Sequence, residues 1–215
     1  MILTSVRKFR NKIVLHFDNS ETLEIAYEVY LNSGLIKGDE VDKKKLEKLK
    51  YENEFFQTKS SAYRYLGNRN HSSFELRVKL TKKGYQKLII EKVIKDLRAK
   101  GYIDDQKFTE SFVKNRIEKR KEGIVKINSE LKKKGISNEI ISDVINNFTD
   151  DPIHFQNALQ LARKKYQSLK NKDLDFQKLK GRLFNFLKGK GYTTEIILKV
   201  LDTVLVNEGE DELEY

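Results

Sequence analysis

Two pairs of adjacent aspartates, Asp104-Asp105 and Asp150-Asp151, are residues of this sequence whose carboxylates could do acid–base or metal chemistry. Neighbouring carboxylates could move a proton or hold a divalent cation. Each pair also stands where a helix is expected to begin, and a carboxylate there accepts hydrogen bonds from free N–H groups and complements the helix dipole. We therefore interpret both pairs as helix caps, with catalysis or metal binding as the alternative.

Other residue types that support catalysis or cofactor binding are absent or unsuitably spaced. His16, His71 and His154 form neither an HxH nor an HxxxH ligand pattern, which favours surface positions or local hydrogen bonds. There is no cysteine, and the segment GRLFNFLKGKG lacks the spacing and the preceding strand of a phosphate-binding loop. The sequence therefore predicts a protein that is not an enzyme and that uses no metal or cofactor.

Basic residues favour a polyanionic partner. The chain carries a net charge of +11, and because residues 202–215 hold six acidic residues and no basic one, residues 1–201 carry +17. Each contact to a phosphate releases counterions, so this charge suits nucleic acid. The alternative is that the lysines only solvate exposed helix faces, as they do on many small helical proteins.

Arginines are the stronger binding candidates, because a guanidinium makes paired hydrogen bonds to a phosphate or carboxylate. Lysines near helix C-termini are already explained by the helix dipole, as for Lys83, Lys134 and Lys190. The candidate residues for binding nucleic acid or a nucleoprotein filament are Arg64, Arg69, Arg77, Lys79, Lys83, Lys114, Arg116, Arg120, Lys126, Lys133 and Arg163.

Tyrosines could supply stacking platforms for bases, and the candidates are Tyr63, Tyr65, Tyr85, Tyr102 and Tyr192. Tyr85 and Tyr192 directly follow a glycine that should end a helix, a position from which an apolar side chain packs back onto the last turn. The middle of the chain has Ile136 at the equivalent position, so we predict core positions for these two tyrosines. Tyr63 stays open to either role.

A repeat defines the elements that must position these residues. Its pattern of two apolar residues, a glycine and three more apolar residues begins at Leu76, Ile127 and Leu183 with the same internal spacing each time. Its members are Leu76, Leu80, Gly84, Ile90, Val93 and Ile94; Ile127, Leu131, Gly135, Ile141, Val144 and Ile145; and Leu183, Leu187, Gly191, Ile197, Val200 and Leu201. Repeats of about this length indicate stacked supersecondary units.

Each unit is predicted to hold a first helix, a second helix that ends at Lys-Gly, and a third. The first helices are expected over 51–66, 105–121 and 152–169, and Ser72 with Glu75 forms a capping box before the first of the second helices. Upstream, KIVLHF and TLEI flank the turn sequence DNSE, which predicts a small β-hairpin. The fold class is therefore mainly α, with tandem three-helix repeats behind a small N-terminal β element.

The domain boundaries follow from the repeat. We expect an N-terminal hairpin and short helix over 1–45, three-helix repeats over 46–101, 102–149 and 150–207, and an acidic tail over 208–215. The start of the chain lacks the apolar core of a signal peptide, and no run approaches the roughly 18 apolar residues of a membrane span. With no cysteine, these features predict a cytoplasmic protein that does not bind membranes.

Three stretches closely resemble the RecX family of bacterial regulators of the RecA recombinase. The first is Leu66-x-x-Arg69-x-x-Ser72-x-x-Glu75-Leu76-Arg77-x-Lys79-Leu80-x-x-Lys83-Gly84-Tyr85; the others are GYIDDQKFTESFVKNRI at 101–117 and ELKKKGISNEII at 130–141. Two features depart from the family's pattern. Ile124-Val125 stands where the family usually has a proline and a basic or polar residue, and the third unit has extra residues between its first and second helices.

The resemblance implies a fold and a function. RecX proteins are elongated, curved arrays of three-helix units that bind RecA filaments on single-stranded DNA in the helical groove. They block filament extension or promote disassembly without a catalytic reaction of their own, and so regulate homologous recombination, DNA repair and the SOS response. The resemblance therefore implies a monomer that binds the RecA filament and single-stranded DNA, and double-stranded DNA weakly.

Two other functions remain open from the residues alone. KKGISNEIISDVI could form a helix-turn-helix of a DNA-binding regulator, although its second helix is dominated by apolar residues where such a fold needs base-reading polar ones. The repeats could also serve as a scaffold for an acidic protein partner, and binding without any nucleic acid would identify that case.

Overall fold

The computed structural model describes residues 1–149, 152–170 and 175–210, and the chain packs as two units. The first unit is Met1–Ile103 and the second begins at Asp104. Ten helices and three strands lie within the described residues. The predicted fold class is confirmed, since an N-terminal β element precedes helices grouped in threes.

The N-terminal sheet consists of three antiparallel strands in the order β1-β2-β3: β1 Leu3–Phe9, β2 Lys12–Phe17 and β3 Thr22–Ala26. The predicted hairpin corresponds to β2 and β3, with Ile13 paired to Ile25 and Leu15 to Leu23. The prediction was incomplete because it missed β1. Only Leu3 is fully buried in that strand, and the exposed Arg7 and Lys8 hide its alternation.

Four helices complete the first unit: α1 Tyr27–Ser33, α2 Lys43–Asn68, α3 Ser73–Lys82 and α4 Lys87–Ala99. The long helix α2 serves two cores. Leu46 and Leu49 near its start pack against the sheet, whereas Ala62 near its end packs between α3 and α4. The sheet is thereby joined to the first three-helix module through one continuous helix.

Six helices form the second unit: α5 Asp105–Glu118, α6 Ile124–Lys133, α7 Asn138–Thr149, α8 Ile153–Lys170, α9 Phe176–Lys190 and α10 Thr194–Glu210. Asp104 caps α5 as predicted, accepting a hydrogen bond of 3.0 Å from the backbone N–H of Lys107. The second predicted capping pair, Asp150-Asp151, lies outside the described residues, as do the extra residues at 171–174 and the end of the predicted acidic tail at 211–215.

The repeat read from the sequence is also the repeat of the cores. Each apolar member is buried, with at most 9% of its surface exposed. The three glycines have positive φ angles, +87° at Gly84, +69° at Gly135 and +90° at Gly191, which end the second helix of each module in a left-handed turn. The repeated Lys-Gly dipeptide therefore marks the C-terminal end of a helix.

Two glycines bring the backbones of the second and third modules into direct contact. Gly123 immediately precedes α6 and Gly191 immediately follows α9. The N–H of Gly123 donates to the carbonyl of Lys190 at 2.9 Å, and the N–H of Val125 donates to the carbonyl of Gly191 at 3.0 Å. A Cβ atom on Gly123 would lie 2.2 Å from the carbonyl carbon of Gly191. We call this contact the glycine interlock.

The departure from the family's pattern at Ile124-Val125 is compatible with the interlock. Ile124 is the first residue of α6, a position at which proline is also accepted because its N–H needs no intrahelical partner. Val125, in contrast, uses its N–H to bond across the interlock.

Within the described ranges, no helix is both long and apolar enough to cross a membrane.

The interlock predicts a clear stability difference among glycine substitutions. Gly123→Ala should lower the free energy of unfolding by about 1–3 kcal/mol, because the new methyl group overlaps backbone atoms that have little room to move. Gly191→Ala should lower the free energy of unfolding at least as much, because Gly191 has a positive φ angle in addition to its close contacts. Gly181→Ala is the matched control: it lies inside α9 with open space at its Cβ, so it should stabilise by up to about 1 kcal/mol. Urea unfolding measures all three, and equal effects at the three positions would contradict the interlock.

Candidate functional site

Three of the candidate arginines are engaged in ion pairs within the protein. In the first unit, Arg77 of α3 holds Glu91 of α4 through two hydrogen bonds of 2.6 and 3.0 Å. The Arg77 guanidinium holds the pKa of the Glu91 carboxyl below its usual range, mainly through these bonds. Arg69 bonds to Glu75 at 3.0 Å, and Glu75 completes the capping box with Ser72. Both arginines therefore have a structural task in fixing α3.

The candidate lysines of the first unit lie over an aromatic ring. The Nζ atoms of Lys79 and Lys83 are 4.6 and 5.7 Å from the ring centroid of Tyr65. Lys83 also donates to Ser61 Oγ at 3.3 Å, and the same hydroxyl lies 2.9 Å from the Tyr85 hydroxyl. These contacts hold the cations against α2 and leave the half-buried ring of Tyr65 covered.

Arg116 sits at the centre of a charged cluster in the second unit. It bonds to Glu122 at 3.1 Å and to Glu130 at 2.5 Å, and its guanidinium carbon is 4.7 Å from the ring centroid of Phe112. Lys126 approaches Glu122 to 2.9 Å. The side chains of Arg116 and Glu122 are only 15% and 8% exposed. The cluster joins α5 to α6 just beside Gly123.

The cluster extends to the third module through Tyr192. The Tyr192 hydroxyl donates to the carbonyl of Lys121 at 2.8 Å. Burial, and secondarily the Glu122 carboxylate, raise the pKa of this hydroxyl above its ordinary value, so that it remains a donor. Nearby, the amide of Asn157 on α8 donates to the carbonyl of Ile117 on α5 at 3.0 Å. Polar bonds thus reinforce the glycine interlock.

Four candidates remain exposed, and no hydrogen bond or ion pair to another described residue holds them. They are Arg64, Arg120, Lys133 and Arg163. Lys114 is nearly as free, since its contact with Glu118 one turn away is 4.0 Å long. A pair of this kind contributes only a few tenths of a kcal/mol at a surface. These five side chains are the members of the predicted set that are available to a phosphate.

The tyrosines divide as expected between core and surface. Tyr192 is buried and Tyr85 is half-buried at their helix stops, which confirms the predicted packing. Tyr63 and Tyr102 are exposed, and their rings meet edge to face with centroids 5.1 Å apart. Lys59 near Tyr63, and Lys92 near Tyr51, did not enter the predicted set, nor did Tyr51 itself. For Tyr51 and Lys59 the signal was the four-residue spacing of Tyr51, Phe55, Lys59 and Tyr63 along one face of α2, whereas Lys92 comes from α4.

The histidines were expected at surface positions or in local hydrogen bonds. His71 and His154 are buried, so neither takes the surface alternative. His71 takes the other one, with Nδ1 2.8 Å from the carbonyl oxygen of Arg69. Burial lowers the pKa of His71 and outweighs that bond, which acts in the other direction. Among the residues described, no three His, Asp or Glu side chains are grouped so that they could hold a metal ion.

The three helical modules correspond to three domains of one known family. The chain matches the family models described as RecX, first three-helix domain, over residues 59–102; RecX, second three-helix domain, over 104–145; and RecX, third three-helix domain, over 153–201. Together these matches cover more than half of the chain.

Whole-chain relatives and solved structures agree with these matches. The chain is 31% identical over 198 residues to the regulatory protein RecX of Clostridium perfringens (strain SM101 / Type A), covering 92% of each chain. It is 31% identical over 205 residues to the regulatory protein RecX of Clostridium beijerinckii, covering 95% of each. A crystal structure of regulatory protein RecX shares the fold with a TM-score of 0.74 at 21% identity, over 94% of this chain and 98% of the other. The crystal structure of RecX from Lactobacillus salivarius shares the fold with a TM-score of 0.65 at 21% identity, over 71% of this chain and 97% of the other.

The two kinds of arginine should respond differently to truncation. Arg116→Ala should lower the free energy of unfolding by roughly 2–4 kcal/mol, because it takes the close ion pair from Glu130 and leaves the buried Glu122 paired with Lys126 alone among the described residues. Arg120→Ala, four residues later and exposed, should change it by less than about 0.5 kcal/mol. Urea unfolding of both variants checks the difference. An unchanged free energy of unfolding in Arg116→Ala would show that the charged cluster does not hold α5 and α6 together.

Proposed function

This chain belongs to the RecX family of regulatory proteins, and from that premise we propose that it is a non-enzymatic inhibitor of a RecA recombinase. It binds RecA filaments on single-stranded DNA along the helical groove, and there it blocks extension or promotes disassembly. The observation that carries the proposal is the 31% identity to proteins named regulatory protein RecX over 92–95% of both chains. The relationship therefore extends beyond the span 59–201 that the three family models match.

The charge of the chain supports a nucleoprotein partner. Residues 1–201 carry +17, and exposed cations that make no hydrogen bond or ion pair to other described residues occur in both units. Arg64 lies in the first, and Arg120, Lys133 and Arg163 lie in the second. A filament offers DNA phosphates to such cations, and release of counterions from those phosphates would favour binding.

A helix-turn-helix regulator is less well supported by the second module. Helix α7 buries Ile141, Val144 and Ile145 in the core. Its exposed positions include Glu139 and Asp143, and carboxylates there would face the phosphates that flank a major groove. A strong preference of the protein for one duplex sequence over random duplex at fixed salt would favour this second function.

The proposal predicts inhibition of the recombinase in a direct assay. ATP hydrolysis by RecA on single-stranded DNA should fall when this protein is added in substoichiometric to equimolar amounts, because filaments stop growing or come apart. Unchanged hydrolysis across that range would contradict the proposed function.

Charge variants, measured in the same assay, test whether particular arginines contact the filament. Arg120→Ala/Arg163→Ala should raise the half-inhibitory concentration about tenfold, equivalent to about 1.4 kcal/mol for two lost contacts. Lys178→Ala/Lys199→Ala is the matched control, since it removes two positive charges from the same unit at residues already paired with Asp175 and Glu195. An equal effect of both double variants would mean that only net charge matters and that the two arginines are not contacts.

A further inference from the structure

A row of aromatic and basic side chains crosses the surface of the first three-helix module. Tyr51, Lys59 and Tyr63 share one face of α2, with Phe55 half-buried beneath them. Lys92 on α4 and Tyr102 after it complete the row. We call these five exposed or partly exposed side chains, Tyr51, Lys59, Tyr63, Lys92 and Tyr102, the tyrosine–lysine row. Tyr51 and Tyr63 are twelve residues apart, so the row extends about 18 Å along the helix.

The tyrosines of the row present their rings to solvent. The residues are 39%, 36% and 56% exposed at Tyr51, Tyr63 and Tyr102. The rings of Tyr63 and Tyr102 are inclined by 80° to each other, which gives an aromatic corner with one ring face and one ring edge. A planar base that lies on one ring can contact the other at the same time.

Packing alone does not explain these positions. The core of the module is filled by the repeat residues of α3 and α4, and tyrosines that serve the core bond their hydroxyls to the protein, as Tyr85 bonds to Ser61. The hydroxyls of Tyr63 and Tyr102 bond to none of the described residues. Large rings that are partly exposed and are not anchored to the protein through their hydroxyls are suited to a ligand that offers a π face.

Lysines alternate with the rings. The Nζ of Lys92 lies 4.9 Å from the ring centroid of Tyr51 and donates to its hydroxyl at 2.9 Å. The Nζ of Lys59 lies 5.9 Å from the ring centroids of both Phe55 and Tyr63. Each Nζ lies over a ring in a cation–π contact, which fixes a positive charge next to the rings where it can meet the backbone of a bound strand.

One carboxylate orders the centre of the row. Asp96 of α4 bonds to Lys59 at 2.6 Å and to Lys100 at 2.9 Å. These lysines, Lys59 first, hold the pKa of the Asp96 carboxyl below its usual range. Lys59 and Lys100 share this one carboxylate, so the three ion-paired groups together carry one positive charge, which complements a polyanion.

We propose that the tyrosine–lysine row is a binding site for single-stranded nucleic acid, which stacks unpaired bases on Tyr51, Tyr63 and Tyr102 and places phosphates near the lysines. Stacking of this kind needs bases that are free of a partner strand, so the site discriminates against duplex. The site deepens the proposed function and rests on it, because it would contact the DNA strand of the filament. None of its residues belongs to the arginine and lysine set predicted from the sequence.

The test uses the full-length protein and a fluorescein-labelled oligothymidylate, with no recombinase present, and measures binding by anisotropy. Tyr63→Ala/Tyr102→Ala should weaken binding at least about tenfold, because two stacking rings are lost. Tyr63→Phe/Tyr102→Phe should bind like the unchanged protein, since phenylalanine keeps the ring. The dependence of log K on log salt should stay the same in the alanine variant, whereas Lys92→Ala should reduce its slope by about 0.7, the value for one phosphate contact on a single strand.

Specific outcomes would overturn the site. Wild-type affinity in the alanine variant, or an equal loss in the phenylalanine variant, would show that the rings do not stack with bases. An equal loss of affinity for a duplex, or for polyglutamate, would assign the row to general charge or to an acidic protein partner. If circular dichroism shows that the double variant unfolds, Tyr102→Ala alone gives the decision, because that ring is the most exposed of the three.

The two proposals fail separately. Loss of oligothymidylate binding by the alanine variant supports the site whether or not the protein inhibits a recombinase. Absence of inhibition by the unchanged protein would overturn the proposed function and leave the binding measurement on naked single strands intact.

Discussion

The second unit depends on one close approach of two backbones, the glycine interlock between Gly123 and Gly191. Because neither residue has a Cβ, the start of α6 and the end of α9 come near enough to exchange two main-chain hydrogen bonds. Around this contact the Tyr192 hydroxyl bonds to the Lys121 carbonyl, and the nearly buried Arg116 and Glu122 form a charged cluster with Lys126. The second and third modules are therefore joined by specific polar contacts as well as by apolar packing. Any side chain at either glycine would separate them.

This architecture divides the many cations of the chain into two groups. Arg69, Arg77 and Arg116 hold helices together through Glu75, Glu91, Glu122 and Glu130, so their removal would disturb the fold before it disturbed any partner. Arg64, Arg120, Lys133 and Arg163 make no such bonds to described residues and remain free for a phosphate. The tyrosine–lysine row adds a different surface, in which rings supply most of the contact and lysines supply the charge. The two proposals thus assign phosphate contacts and base stacking to different surfaces of the chain.

Much of the fold could be predicted from the sequence because the repeat couples local and tertiary signals. The apolar spacing of each module and its glycine with positive φ gave the helix ends, and the Ser72–Glu75 capping box gave the start of α3. Strand β1 escaped prediction because its charged residues mask the alternation, and its place in the sheet is set by pairing with β2. The site was harder to predict. Arginine is equally suited to a phosphate and to an internal carboxylate. The carboxylate partners, Glu91 of Arg77 and Glu130 of Arg116, lie on neighbouring helices 14 residues further along the chain, and the sequence alone does not show that these helices bring each pair together.

The proposed function requires that the protein act on the recombinase filament itself. Electron cryomicroscopy of RecA filaments assembled on single-stranded DNA and mixed with this protein tests this requirement most directly. We expect three-helix modules seated along the helical groove, with the first module's tyrosine–lysine row directed at the DNA strand. Filaments that remain bare at saturating protein, or that bind it only through their outer surface away from the DNA groove, would contradict the claim.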